Sequence, residues 1–232
     1  MRTITLSGPA KNALGTQLMQ YVHDKVAAAS GEPLLLTGDG DAFSAGLNLK
    51  EVLQADIPSM RDFHHLLEDT VAALYHYPGP TAAAINGHAI AGGAILGLVC
   101  DRRIATTNPR ARIGLNEVAL GLQFPPRLLA MVLDCIPRRH HTEVLLGAGL
   151  FGPEHAHTLG LVDALADDPV AAATEWLARV GAHPDGAYAS GKAQIRPQVP
   201  YTDEQKAYFE DVVLPGWLSD SVKTRIAGFF KK

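Results

Sequence analysis

Residues 33–50 read PLLLTGDGDAFSAGLNLK, and residues 81–99 read TAAAINGHAIAGGAILGLV. Each stretch opens on a short run of apolar residues, 34–36 and 81–85, of the kind that is buried on both faces of a parallel sheet. Each run ends in a glycine-rich turn, Thr37-Gly38-Asp39-Gly40 or Asn86-Gly87-His88, and then passes into small residues that lead to a helix. The two stretches are alike as successive strand–glycine–helix units, a faint internal repeat. Units of this kind predict an α/β protein.

Outward from the repeat, the pattern alternates and then becomes helical. Residues 2–6 (RTITL) alternate as a half-buried strand does, and Pro9 ends them. Leu14, Leu18, Tyr21, Val22, Val26 and Ala29 form an apolar stripe that predicts a helix over 14–29. A second amphipathic helix is expected over 58–76, closed by Tyr77-Pro78-Gly79-Pro80, and a small-residue helix over 91–99. From Pro125 onward, helices are expected at 125–134, 138–147, 153–158, 168–181, 202–213 and 217–230. Strands early and helices late suggest a parallel-sheet core with a helical tail. No low-complexity linker or charge block separates them.

The composition excludes several classes. The chain has 232 residues, of which 47% are hydrophobic and 19% charged, enough apolar mass for a substantial core. No run reaches the ~18 apolar residues of a membrane span, and no basic and apolar leader precedes a cleavage site. The net charge of −4 gives no electrostatic footprint for nucleic acid or anionic lipid. Cys100 and Cys135 are the only cysteines, too few for a disulfide framework or a four-thiolate zinc site. A soluble, cytoplasmic, metal-independent protein is the expectation.

Nucleotide fingerprints fail on inspection. Gly38-Asp39-Gly40 continues to Phe43 where a dinucleotide turn needs glycine, and Gly87 to Gly92 continues to Gly93-Ala94 without the lysine of a phosphate loop. Ala42-Phe43-Ser44-Ala45-Gly46 lies one residue from a nucleophile elbow, which leaves a serine hydrolase using Ser44 as a rival reading. His64 and Glu68 share a helical face at i,i+4. With Arg61, Asp62 and Asp69 on the same helix, that face reads as solvated, and no metal site is expected.

Gly40 to Leu49 and Ala84 to Gly93 together resemble the two signature turns of the crotonase (enoyl-CoA hydratase/isomerase) family. Cys100-Asp101-Arg102-Arg103-Ile104, the stretch NPRARIGLNEVALG from Asn108 to Gly121, and the ending from Gly216 to Lys231 extend the likeness over nearly the whole chain. It is nearest to Δ3,Δ2-enoyl-CoA isomerases. The resemblance implies a spiral of β-β-α units over 1–175 that holds the coenzyme A and active sites, followed by a helical trimerisation region over 176–232.

By the same resemblance, Glu117 is the catalytic acid/base and the main-chain N–H groups of Ala45 and Gly92 form an oxyanion hole. Ser44, Gly46, Leu47, Asn48, Gly93, Ile95, Phe124 and Pro125 are implied to line the substrate. Elementary chemistry agrees. Removing a proton beside a thioester carbonyl gathers charge on oxygen, and two N–H donors aimed there stabilise the transition state preferentially. Small residues at 44–46 and 91–93 let the backbone approach. Gly92 would open a helix, whose unpaired N–H groups favour an anion. Glu117 stands among apolar neighbours, which raises a carboxyl pKa toward that of a useful base.

Departures from the family separate its reactions. Ile95 stands where hydratases carry a second glutamate. Gln123-Phe124-Pro125-Pro126 replaces their Pro-Gly pair, and proline has no N–H to hold a water. Asn48 replaces the usual aspartate. A single carboxylate suits moving a double bond more than adding water, so isomerisation of a 3-enoyl-CoA to the trans-2-enoyl-CoA is expected. Hydration, thioester hydrolysis, decarboxylation and a silent scaffold-like homologue are the rivals within the family. An acyl-CoA substrate, no resident cofactor, no nucleic-acid or membrane partner, and a homotrimer or dimer of trimers complete the expectations.

Overall fold

The computed structural model describes residues 1–184 and 186–230. Lys231, the last residue of the C-terminal resemblance, and Lys232, the end of the expected helical region, lie outside them. Five parallel strands form the larger sheet in the order β1 (Arg2–Leu6), β2 (Leu34–Gly38), β4 (Thr81–Ile85), β6 (Arg102–Thr106) and β8 (Ala164–Ala166). Three more, β3 (Ala42–Ser44), β5 (His88–Ile90) and β7 (Ile113–Gly114), form a smaller parallel sheet. The chain visits the larger sheet, then the smaller, then a helix or loop, three times in succession. This is the expected spiral of β-β-α units.

The larger sheet is buried on both faces, which explains its unbroken apolar runs. In β2 and β4, Leu35, Ala82 and Ala84 face the Pro169–Gly181 helix through Ala173 and Leu177. The alternate residues Leu34, Leu36, Ala83 and Ile85 enter the main core. The register pairs Leu34 with Thr81 and Ala82 with Arg102, so the alanines of β4 lie at the centre of the sheet. Asn86 ties successive turns together: its Nδ2 donates to the Gly38 and Gly40 carbonyls, and its Oδ1 accepts from the Gly38 N–H.

Most expected helices form. Thr16–Ala27, Ile57–Tyr75, Gly92–Leu98, Pro126–Cys135, Pro153–Thr158 and Pro169–Gly181 lie within a few residues of their predicted spans. The long Ile57–Tyr75 helix opens on a capping box between Asp56 and Ser59. The stretch 138–147 is instead a 3₁₀ turn followed by the π-helical Thr142–Leu146, and 202–213 changes from α to π at Phe209. Two corrections concern side chains. Tyr21, placed in an apolar stripe, is exposed. His64 and Glu68, read as a solvated face, are 0% and 1% exposed, because this helix is enclosed by Phe209 and Trp217 of the C-terminal region.

Among the described residues, no helix is long and apolar enough to cross a membrane. Ala10, Lys11 and Asn12 are three consecutive non-glycine residues at φ 51°, 60° and 60°. A left-handed conformation costs roughly 1–2 kcal/mol per residue, so tertiary contacts must hold this turn in place.

Candidate active site

The site assembles where the smaller sheet ends. After β3 the chain turns through Ala45-Gly46-Leu47-Asn48. Gly46 has φ +92°, and a Cβ there would lie 2.8 Å from the Ile90 carbonyl, so only glycine fits. A parallel bridge pairs Leu47 with Leu14. In it the Leu14 N–H donates to the Gly46 carbonyl at 2.7 Å, and the Asn48 N–H donates to the Leu14 carbonyl at 3.0 Å. Because extended backbone alternates, the groups of 46 and 48 point to Leu14 and the N–H of Leu47 points away from it. Among the described residues, that N–H has no hydrogen-bond acceptor.

This corrects one expectation. The Ala45 N–H donates to the Lys11 carbonyl at 2.9 Å and is not free to bind an oxyanion. The amide that the turn leaves open is that of Leu47, which the sequence placed only in the substrate lining.

The second turn leaves an amide open at Gly92. Gly92 opens the Gly92–Leu98 helix, so its N–H is one of those that no helical carbonyl accepts. The residue before it, Ala91, has φ 50° and ψ −127°, an unusual conformation for alanine, held by its N–H donating to the Gly114 carbonyl at 2.9 Å. A Cβ on Gly92 would meet Leu47 Cδ2 at 3.0 Å, so the two open amides belong to touching residues.

Glu117 follows β7 and begins a 3₁₀ turn, its carbonyl accepting from the Leu120 and Leu122 N–H groups. Its side chain is 5% exposed, and Oε2 has no hydrogen-bond partner. Burial pushes the carboxyl up to about 7, opposed only by a hydrogen bond from its own backbone.

These groups share one cavity of about 260 Å³. Ala45, Leu47, Gly92, Ile95, Glu117, Phe124 and Pro125, all named from the sequence, line it together. Glu117 is the only titratable side chain on its wall among the described residues. Four expected residues stand elsewhere. Ser44 is fully buried, its Oγ donating to the Asn12 carbonyl at 2.8 Å and accepting from the Gly46 N–H at 3.2 Å. A hydroxyl so engaged and shut off from the cavity is not a nucleophile, which removes the serine-hydrolase reading. Gly46 shapes the turn. Gly93 is a packing glycine, since a Cβ would lie 2.6 Å from the Ser44 carbonyl. Asn48 caps the Leu49–Gln54 helix, its Oδ1 accepting from the Lys50 N–H. Asparagine caps about as well as aspartate, which accounts for the departure at this position.

A sequence model of the enoyl-CoA hydratase/isomerase family matches residues 1–229. The chain belongs to this family. It is 33% identical over 164 residues to a putative enoyl-CoA hydratase of Thermus thermophilus, covering 68% of this chain and 62% of that protein. It is 32% identical over 170 residues to human mitochondrial enoyl-CoA delta isomerase 1, covering 70% of this chain and 55% of that protein. The matched region thus spans little more than half the length of these curated relatives. The fold of human mitochondrial Δ3-Δ2-enoyl-CoA isomerase superposes with a TM-score of 0.86 at 24% identity, covering 99% of this chain and 92% of that one. An enoyl-CoA hydratase from Bacillus halodurans superposes at 0.82 with 25% identity, covering 97% and 95%.

Leu67, Asn116, Gln123 and Trp217, to none of which the sequence assigned a role, also line the cavity. Trp217 comes from the C-terminal region, and its Nε1 donates to the Gln123 carbonyl at 2.8 Å, fixing the wall before Phe124. Only its place in the matching C-terminal segment singled it out in the sequence. Asn116 carries a buried Oδ1 without a partner. No group of three or more His, Cys, Asp or Glu able to hold a metal occurs among the described residues.

Proposed function

We propose that this family member shifts the double bond of a 3-enoyl-CoA to the trans-2 position with Glu117 as its sole acid/base. The observation that carries this reading is the single carboxylate on an otherwise uncharged wall, with Ile95 and Pro125 on the same cavity. The Glu117 carboxylate takes a proton from C2, the C2–H electron pair moves into the dienolate, and negative charge gathers on the thioester oxygen. The N–H groups of Leu47 and Gly92 donate to that oxygen. Each such donor typically contributes ~3 kcal/mol to the transition state. The protonated Glu117 then returns the proton at C4, and the double bond comes to rest between C2 and C3. A carboxyl whose pKa lies near 7 is suited to both halves of that transfer. Coenzyme A is the substrate's handle, and the chemistry requires no resident cofactor. A homotrimer assembled through the C-terminal helices is part of this proposal; light scattering of the purified protein tests it.

One observation favours a second reading. The unpartnered Asn116 Oδ1 offers a polar anchor for a water beside Glu117, as hydration would need. A direct comparison decides: a 3-enoyl-CoA and crotonyl-CoA are offered to the same preparation. Isomerisation at least ~10-fold faster than hydration supports the first reading. Comparable rates overturn it in favour of a hydratase.

A further inference from the structure

We infer that Asn12 is a positioning residue for the oxyanion hole, holding the Leu47 amide in line from the opposite side of the turn. The inference rests on the role proposed above for the Leu47 and Gly92 N–H groups. Asn12 does not line the cavity and is 3% exposed. Every polar group of its side chain is used. Nδ2 donates to the Asp39 carbonyl at 2.8 Å and the Ala42 carbonyl at 2.9 Å, with the Phe43 carbonyl at 3.4 Å, and Oδ1 accepts from the Gly8 N–H at 3.2 Å. One side chain therefore grips the backbone on both sides of the β2–β3 connection and the start of its own left-handed turn.

The main chain of the same turn completes the grip. The Lys11 carbonyl takes the Ala45 N–H, the Asn12 carbonyl takes the Ser44 Oγ, and Leu14 pairs with Gly46 and Asn48. Four successive residues, 45 to 48, thus have three amides engaged toward this strap or toward Ser44, leaving only that of Leu47 open. The strap does not touch substrate. It fixes which amide is open and where it points.

The conformation of the strap needs such a residue. Asn12 has φ 60°, and asparagine tolerates the left-handed region better than other side chains that could make these bonds. Ala10 and Lys11 share that conformation without the same tolerance, and the bonds of Asn12 hold the turn together with the Lys11 carbonyl's bond from Ala45. If the grip is released, the turn can relax and the Leu47 N–H swings off the oxyanion. Misplacement of a catalytic group by about 1 Å costs up to ~100-fold in rate.

The test uses Asn12→Gly, since glycine accepts φ +60° and removes only the side-chain grip. The readouts are kcat, KM for a 3-enoyl-CoA, thermal midpoint, and the carbonyl stretch of bound 2,4-hexadienoyl-CoA in infrared difference spectra. The expected result is kcat down ~10–100-fold with KM within ~3-fold, and a carbonyl stretch returned part-way toward its value in water. Glu117→Gln, by contrast, should lose turnover and keep the full carbonyl shift. Full kcat and an undiminished shift in folded Asn12→Gly overturn the inference. So does a parallel loss of kcat and midpoint with the shift intact, which is what a merely structural residue would give. If Asn12→Gly does not fold, Ser44→Ala releases the same strap from the turn's side and is judged by the same readouts. A wild-type protein that leaves the carbonyl stretch unshifted overturns the oxyanion reading itself, and this inference with it.

Discussion

Replacing Glu117 by glutamine should cut turnover at least ~100-fold and, at alkaline pH, stabilise the fold. The carboxyl is 5% exposed and titrates near 7 in the folded chain, against an ordinary value of 4.5. Between those two pH values the folded state binds a proton that the unfolded state has released, so stability falls as pH rises through this window. A shift of that size corresponds to about 3 kcal/mol at pH well above 7, at 1.36 kcal/mol per pH unit. Glutamine has nearly the shape of the protonated acid and never carries the charge. Near pH 5 the variant should therefore be ahead by no more than ~1 kcal/mol. At pH 8.5 the variant should be more stable by up to ~3 kcal/mol, which in a chain of this size raises the midpoint by roughly 6–12 °C. Thermal unfolding at fixed protein concentration across pH 5–8.5 measures the difference. Glu68 also titrates near 7, but it is present in both proteins and drops out of the comparison. Equal stabilities at both ends of the range would refute the claim that Glu117 is charged at a desolvation cost.

The same carboxyl sets the pH dependence of the reaction: kcat/KM should rise with pH through about 7, because only the deprotonated form accepts the C2 proton, and Glu117→Gln should lose at least ~100-fold in kcat. Gly92→Pro removes a donor at a helix position that proline otherwise suits, so a folded variant should lose ~100–1000-fold in kcat; wild-type turnover would reduce Gly92 to a packing role. Ile95→Glu should raise hydration of crotonyl-CoA only in part, since Pro125 and Pro126 still lack the N–H that would orient a water; the ratio of hydration to isomerisation rates is the measurement.

The buried carboxyl of the cavity was legible in the sequence and the open amide of the first turn was not, for physical reasons. Glu117 is a charged residue in an apolar stretch, and its environment could be inferred from its neighbours alone. Ile95 and Pro125 were legible as departures at marked positions. The open amide of the first turn was misread by two residues, because amide availability depends on what lies across the turn. Lys11 and Leu14 lie 34 and 33 residues before Ala45 and Leu47 in the chain, and nothing local announces their pairing. The short strands β3, β5 and β7 show the same limit. Two or three residues are too few for periodicity, so only the resemblance implied them. His64 and Glu68 looked polar enough for solvent until the C-terminal helices covered them.

Those short strands are nonetheless what converts the fold into a site. Leu47 comes three residues after β3, Gly92 two after β5, and Glu117 three after β7. The strands are parallel and adjacent in that order, so all three residues emerge at the same edge of the small sheet, beyond its carboxyl ends. Neighbouring strands lie about 4.8 Å apart. Two amides on adjacent strands can therefore meet one oxygen, while a side chain from the third strand reaches the next atoms of a substrate laid across them. The sequence donor, donor, base across the sheet matches the order of atoms in a thioester enolate, carbonyl oxygen first and the carbon that loses its proton next. In the proposed isomerisation, a spacing of this kind lets a single carboxylate suffice: the proton leaves C2 and returns at C4 on one face, within reach of one side chain, and no second acid from the position of Ile95 is required.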